Sequence, residues 1–193
     1  AQGLGRMIAE GLLRAGATVV ITSRKTDICE AAASDMAPLG KCIALPADLS
    51  TPEAAVDLAH RYRDTVGGVL NILVNNAGKT WGGAIDTFPD KAWPSVMMVN
   101  VQTPFTLVRE LLSELTAAGT PDDPARVINI GSIAGVTTAK LSAYSYAASK
   151  AAALAPRQST TVWAPAARAS WATLGLGTNN GNCANRGQAA PAN

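Results

Sequence analysis

The feature that most constrains the fold is a regular alternation of short apolar segments with segments of helical periodicity. Four segments rich in aliphatic residues are predicted strands, at residues 18–23, 41–45, 70–74 and 126–130. Helical spacing of apolar residues predicts helices between and after them, at residues 5–15, 27–36, 50–65, 91–118 and 143–153. This alternation predicts an α/β fold: a doubly wound parallel sheet with helices on both faces and right-handed crossovers.

Two local signals refine the predicted helices. Ser50 precedes Glu53 by three residues, which is the spacing of a capping box, so we expect Ser50 to cap the third helix. Pro104 falls inside the long fourth helix, where it removes a backbone donor. We therefore expect a kink or a shifted turn near that proline.

Composition excludes several classes of protein. A chain of 193 residues with 48% hydrophobic residues can bury the core of one domain. It has no apolar run of 18 residues, so no membrane segment is expected. Residues 1–153 carry 13 Lys and Arg against 14 Asp and Glu, and the basic excess lies in residues 154–193. The predicted domain therefore gives no reason to expect a nucleic-acid partner.

The cysteines and the histidine do not predict a metal site. The three cysteines are far apart, and His60 is the only histidine, so a zinc site is not expected. We expect Cys29 and Cys42 to be buried apolar residues. A secretory signal is not recognisable, and the expected setting is the reducing cytoplasm.

Residues 154–193 differ from the rest of the chain. Pro156 interrupts the last predicted helix, and the residues beyond it are dominated by Ala, Asn and Gly without a period of 2 or 3.6. We expect this low-complexity tail to be poorly structured. A functional basic arm is the alternative, because Arg157, Arg168 and Arg186 stand there without an acidic residue.

Glycines at the start of the first helix suggest a phosphate site. Gly3, Leu4 and Gly5 precede or open that helix. Glycines let the backbone approach a pyrophosphate, and a helix N-terminus favours its negative charge. A helix start that holds no ligand is the alternative.

Polar and small residues come after the next three predicted strands. Ser23 and Arg24 follow the first, Asp48 follows the second, and residues 75–78 follow the third. Ligands of such folds bind at the carboxyl ends of the strands. A cation at the position of Arg24 accommodates the 2′-phosphate of NADP, whereas a carboxylate there would bind the ribose of NAD. A solvated loop cation is the alternative for Arg24.

Three residues form a candidate acid–base group. Ser132 follows the fourth strand, while Tyr146 and Lys150 lie four apart on one face of the last helix. The pKa of a tyrosine is ordinarily near 10, and a neighbouring ammonium lowers it, which makes tyrosine a usable acid. Ser132 can donate a hydrogen bond to a carbonyl oxygen. Tyr144 has Ala148 four residues later, so it lacks such a cation.

Taken in order, these motifs resemble the short-chain dehydrogenase/reductase family. The matching motifs are Gly3 to Gly5, NNAG at residues 75–78, Asn100, INIGS ending at Ser132, and YxxxK from Tyr146 to Lys150. The resemblance implies an NADP(H)-dependent oxidoreductase, with NAD(H) the less favoured cofactor, that reduces a ketone or 3-oxoacyl thioester. It is more specifically similar to 3-oxoacyl reductases, including those of the rhamnolipid pathway.

The resemblance also implies a role for each site residue. Tyr146 would donate a proton to the carbonyl oxygen, Ser132 would hold that oxygen, Lys150 would bind the ribose, and Asn100 would hold a relaying water. The implied cofactor-binding residues are Gly3, Leu4, Gly5, Ser23, Arg24, Asp48, Leu49, Asn76, Ala77 and Gly78, together with Tyr146 and Lys150. The resemblance also implies that the chain forms a homodimer or homotetramer.

The chain also departs from the family pattern. The family's first strand is not recognisable before Gly3, nor are its last strands after Ala153. We therefore expect residues 1–153 to form a partial Rossmann domain with an unpaired position inside the sheet. A catalytically inactive relative, which at most binds nucleotide or pairs with related chains, is the alternative function.

Overall fold

Strands and helices alternate along the chain as predicted. The computed structural model describes residues 3–137 and 142–154, so the expected tail lies outside the described residues except for Leu154. The strands are β1 (Val19–Ile21), β2 (Cys42–Ala44), β3 (Ile72–Asn75) and β4 (Arg126–Asn129). The helices are α1 (Leu4–Arg14), α2 (Thr26–Met36), α3 (Pro52–Val66), α4 (Ala92–Met97), α5 (Thr103–Glu110), α6 (Leu112–Ala118) and α7 (Tyr144–Leu154).

The described strands form two parallel pairs. β1 pairs with β2, with Val19 opposite Cys42, and β3 pairs with β4, with Ile72 opposite Arg126. Within the described ranges no ladder joins one pair to the other. Val20 and all residues of β2 and β3 are only half-buried, because each strand has one edge without a described neighbour. The limited burial of these strands therefore follows from their lateral pairing.

The cap of α3 corrects one sequence prediction. Thr51, rather than Ser50, is the N-cap: its backbone is extended and its Oγ1 accepts a hydrogen bond from the Ala54 N–H at 3.3 Å. Pro52 then occupies the first helical position, where a missing N–H costs nothing. Pro52 fixes the start of the helix, and so the adjacent threonine takes the cap.

The predicted long fourth helix is broken into pieces. A π-helical segment, Met98–Gln102, separates α4 from α5, and the Thr103 N–H bonds the Met98 carbonyl five residues earlier. Pro104 has no N–H to bond the carbonyl of Asn100 four residues earlier, which favours a wider turn here. The expected shift near Pro104 is confirmed, and it lies just before the proline.

Three apolar clusters hold the helices onto the strands. The first joins α1 and α2 to β1 and contains Leu13, Met36 and Cys29. Cys29 is fully buried as expected, whereas Cys42 is only half-buried. The second cluster packs α3 against α5 and the residues after β2, and the third packs α6 against β4.

A salt bridge supports the contact between α3 and the helices after it. The Arg63 guanidinium donates to the buried carboxylate of Glu114 and to the carbonyl of Glu110. The Tyr62 hydroxyl donates to the Val69 carbonyl at 2.6 Å, and the Leu70 N–H donates to the Glu114 carbonyl. These contacts fix the start of β3, so the residues after β3 have a defined position.

A very close backbone approach joins the turn after β4 to α7. This turn is a single 3₁₀ turn, Ile133–Gly135. A methyl group at Gly135 would lie 2.6 Å from the carbonyl carbon of Lys150 and 2.7 Å from the nitrogen of Ala151. Because both contacts are backbone atoms, no side chain can move to make room. Only glycine permits α7 to lie this close to the turn that begins after Ser132.

We therefore predict that Gly135→Ala destabilises the protein by about 1–3 kcal/mol, the usual cost of overpacking. Gly11→Ala is the matched control, because Gly11 is exposed inside α1 and a methyl group there meets nothing within 4 Å. That substitution should stabilise the protein by about 0.5–1 kcal/mol. Urea unfolding of both variants measures the difference, and an unchanged or higher stability of Gly135→Ala would contradict the described packing.

Candidate active site

The carboxyl ends of the strands carry the predicted site residues. Ser23 follows β1, and its carbonyl accepts a hydrogen bond from the Ala47 N–H, which follows β2, at 3.1 Å. Asn75 ends β3, and its carbonyl accepts from the Ile130 N–H beyond β4 at 3.0 Å. Each parallel pair therefore places its two following loops side by side.

The glycine segment adjoins the loop after β3. Gly3 precedes α1 with a φ of 68°, a conformation that favours glycine, and its carbonyl accepts from the N–H groups of Arg6 and Met7. A methyl group at Gly3 would meet nothing within 4 Å, so the space beside it is open. A methyl group at Gly5 would lie 2.6 Å from Nδ2 of Asn76. The start of α1 is therefore packed directly against the NNAG loop.

Arg24 and Asp48 are exposed, and their side chains make no hydrogen bond or ion pair with any described residue. Leu49 is buried, and its carbonyl accepts from the Thr103 hydroxyl at 3.0 Å, which ties the loop after β2 to α5. The structure thus places these residues at the expected edge of the sheet without contacts to the acid–base group.

Ser132 begins the turn after β4. Its backbone is extended, and its Oγ accepts a hydrogen bond from the Ala134 N–H at 3.2 Å. The hydroxyl hydrogen of Ser132 is not engaged by that bond, so it stays available to a ligand. Through Gly135, this turn contacts the backbone of α7 at Lys150.

Tyr146 and Lys150 lie together on α7. The Lys150 Nζ is 5.8 Å from the centre of the Tyr146 ring and donates a hydrogen bond to the Ile130 carbonyl at 2.7 Å. Lys150 is only 6% exposed, and burial lowers the pKa of its ammonium below the ordinary value. Tyr144 instead packs edge-on against Phe88, with ring centres 5.2 Å apart.

The side chain of Asn100 joins three segments. Its Oδ1 accepts from the Lys79 N–H at 2.7 Å, and its Nδ2 donates to the Lys79 carbonyl at 2.9 Å. The same Nδ2 donates to Oγ of Ser149 at 2.8 Å. Both N–H groups of the side-chain amide are thus engaged. A proton-relaying water held by Asn100 would therefore have to bind another group of this residue, such as a carbonyl oxygen.

Two residues that contact this group were not predicted from the sequence. Gly135 sets the distance from the turn after β4 to α7, and Ser149 links Asn100 to α7. A hydroxyl among alanines just before Lys150 was the available signal for Ser149. Gly135 had no local signal, because its constraint comes from backbone 15 residues away.

A cavity of about 480 Å³ is lined by one member of the acid–base group, Lys150. Asn75, Asn100, Phe105, Asn129 and Lys150 are among the residues that line it, but Ser132 and Tyr146 are not. The Asn75 and Asn129 side chains bond each other at 2.7 Å on its polar wall. Across residues 3–137 and 142–154, no cluster of His, Cys, Asp and Glu could hold a metal ion. No helix in the same ranges is long and apolar enough to cross a membrane.

The chain is similar to proteins of one enzyme family. The sequence profile described as "short chain dehydrogenase" matches residues 1–161. A 3-oxoacyl-[acyl-carrier-protein] reductase of rhamnolipid biosynthesis from Pseudomonas aeruginosa is 44% identical over 151 residues, which are 78% of this chain and 59% of that protein. The chain thus spans less than two thirds of the length of that relative.

Solved structures give the same result. The structure of the Pseudomonas aeruginosa RhlG/NADP active-site complex matches with a TM-score of 0.75 and 44% identity, over 78% of this chain and 58% of that one. A metagenomic short-chain oxidoreductase in complex with NADP matches with a TM-score of 0.77 and 28% identity, over 88% of this chain and 76% of that one. With the motifs and the strand-end site described above, these matches establish that the chain belongs to the short-chain dehydrogenase family.

Proposed function

We propose that this protein is an NADPH-dependent carbonyl reductase that converts a 3-oxoacyl thioester, or a similar ketone, into a secondary alcohol. The observation that carries this proposal is the group formed by Tyr146, Lys150 and Ser132 at the carboxyl edge of the strands. The ammonium lies 5.8 Å from the phenol ring, and the Gly135 contact brings the turn after Ser132 against the same helix.

The residues at this edge fit a dinucleotide. The open space beside Gly3, with its φ of 68°, and the N-terminus of the 11-residue helix α1 suit a pyrophosphate. Arg24 is exposed and engages no described acid, so its guanidinium is free to bind a 2′-phosphate. The small residues Ala77 and Gly78 leave room for a flat ring near the backbone.

Each member of the acid–base group has a separate role in this proposal. The nicotinamide supplies the hydride when it is bound. The Tyr146 hydroxyl donates the proton to the carbonyl oxygen, and the free hydrogen of the Ser132 hydroxyl holds that oxygen in place. Lys150 uses one of its three N–H groups on Ile130, which leaves two for a ribose hydroxyl.

The proposed substrate class, a 3-oxoacyl thioester, rests on the similarity of this chain to a named relative. The relative with 44% identity is named a 3-oxoacyl-[acyl-carrier-protein] reductase, and the matching structure is a complex with NADP. A 3-oxoacyl thioester carries its ketone on the third carbon from the sulfur, and in this proposal Ser132 and Tyr146 orient that ketone. We therefore expect a short 3-oxoacyl thioester to serve as a test substrate.

We predict that Tyr146→Phe abolishes NADPH-dependent reduction of a 3-oxoacyl thioester, lowering kcat by at least about 100-fold, because the variant lacks the donated proton. NADPH binding, followed by fluorescence titration, should change less than threefold. Tyr144→Phe is the control on the same helix and should retain reduction. If Tyr146→Phe keeps the activity of the unmodified protein, Tyr146 is not the acid.

We also predict that Arg24→Asp weakens NADPH binding by about 10- to 100-fold while changing NADH binding less than threefold, because only NADPH carries the 2′-phosphate. Lys41→Asp makes the same change of charge just before β2, at the edge of the sheet opposite Arg24. This control should leave the binding of both cofactors unchanged. Titration of each variant with NADPH and with NADH measures both binding affinities. Equal weakening of NADPH and NADH by Arg24→Asp would rule out a 2′-phosphate contact.

A further inference from the structure

A continuous chain of hydrogen bonds runs from Lys79, the residue directly after NNAG, to the start of α7. Asn100 bonds both backbone groups of Lys79, and its Nδ2 also donates to Oγ of Ser149 at 2.8 Å. Oγ of Ser149 in turn donates to the carbonyl of Tyr146 at 2.7 Å. The chain of bonds ends on the backbone of the residue that carries the proposed acid.

The hydrogen bonds at position 149 require a hydroxyl group. Oγ of Ser149 accepts one bond and donates another, and a methyl group can do neither. Asn100 is 3% exposed and Ser149 is fully buried, so no water replaces a lost partner. Removal of the hydroxyl would leave one N–H of Asn100 buried without an acceptor if the amide stays in place, and a buried unpaired donor is destabilising. Rotation of the amide would avoid that cost but break its bonds to Lys79.

We propose that Ser149 is a positioning residue, which locks the first turns of α7 to Asn100 and thereby fixes Tyr146 and Lys150 relative to the NNAG loop. Tyr146 lies one turn before Ser149, and Lys150 follows Ser149 directly. A shift of α7 along or about its axis would move the phenol and the ammonium together. The inference rests on the proposed reductase function for its kinetic consequence, while the coupling itself is a property of the fold.

The chain offers a closely matched control in Ser145. It lies on the same helix, one turn before Ser149, and is also fully buried. Its Oγ has no hydrogen-bond partner among the described residues. Ser145→Ala and Ser149→Ala therefore remove the same atom from equally buried positions, but only Ser149→Ala breaks the chain of hydrogen bonds.

The kinetic test compares both variants with the unmodified protein, using NADPH and a 3-oxoacyl thioester. We expect Ser149→Ala to lower kcat about tenfold while the KM for NADPH stays within threefold, because the glycine segment and Arg24 hold most of the cofactor. Ser145→Ala should leave kcat within twofold. A kcat unchanged in Ser149→Ala, or lowered equally in both variants, would overturn the proposal.

A second measurement does not depend on activity. Amide hydrogen exchange, followed by NMR, should show the Lys79 N–H exchanging at least tenfold faster in Ser149→Ala than in Ser145→Ala, because that N–H is bonded to Asn100. If the protein reduces no substrate but shows this difference, the coupling stands and the proposed function fails. Equal exchange in both variants, or a Ser149→Ala chain that does not fold while Ser145→Ala does, overturns the positioning role.

Discussion

The arrangement of the candidate site depends on the buried side-chain amide of Asn100. This amide joins the loop after β3, the π-helical segment and helix α7, three parts of the chain that are distant in sequence. The π-helical segment places Asn100 at a wide turn, and Pro104 favours that turn by withholding a backbone donor. The Gly135 contact then brings Ser132 to the same helix. Without the amide, the loop that borders the glycine segment would lose its polar link to the helix that carries Tyr146.

Much of the fold follows from local sequence. The aliphatic, β-branched character of residues 18–23 predicts β1, and the spacing of apolar residues predicts α1 within one residue at each end and the start of α7 within one residue. The side chains at the ends of the strands, such as Arg24 and Asn76, were also predictable, because parallel strands bring their carboxyl ends to one edge. These predictions succeed because the signals are short-range and periodic.

The features that sequence could not supply have two physical origins. The cap of α3 lay one residue from its predicted place, because neighbouring Ser50 and Thr51 can both cap a helix and Pro52 decides between them. The bond from Asn100 to Ser149 spans 49 residues, and its geometry depends on how the helices pack rather than on either neighbourhood. The limited burial of β3 likewise reflects lateral pairing, which an apolar strand pattern does not report.

The proposed function requires that a hydride pass from the nicotinamide of NADPH to the carbonyl carbon of a substrate held at the carboxyl edge of the strands. The most direct measurement supplies the purified protein with NADPH deuterated at both C4 positions and a 3-oxoacyl thioester, and analyses the product by mass spectrometry. The account predicts a 3-hydroxyacyl thioester that carries one deuterium on the former ketone carbon. An alcohol product without deuterium, or bound NADPH that is never consumed in the presence of the thioester, would contradict it.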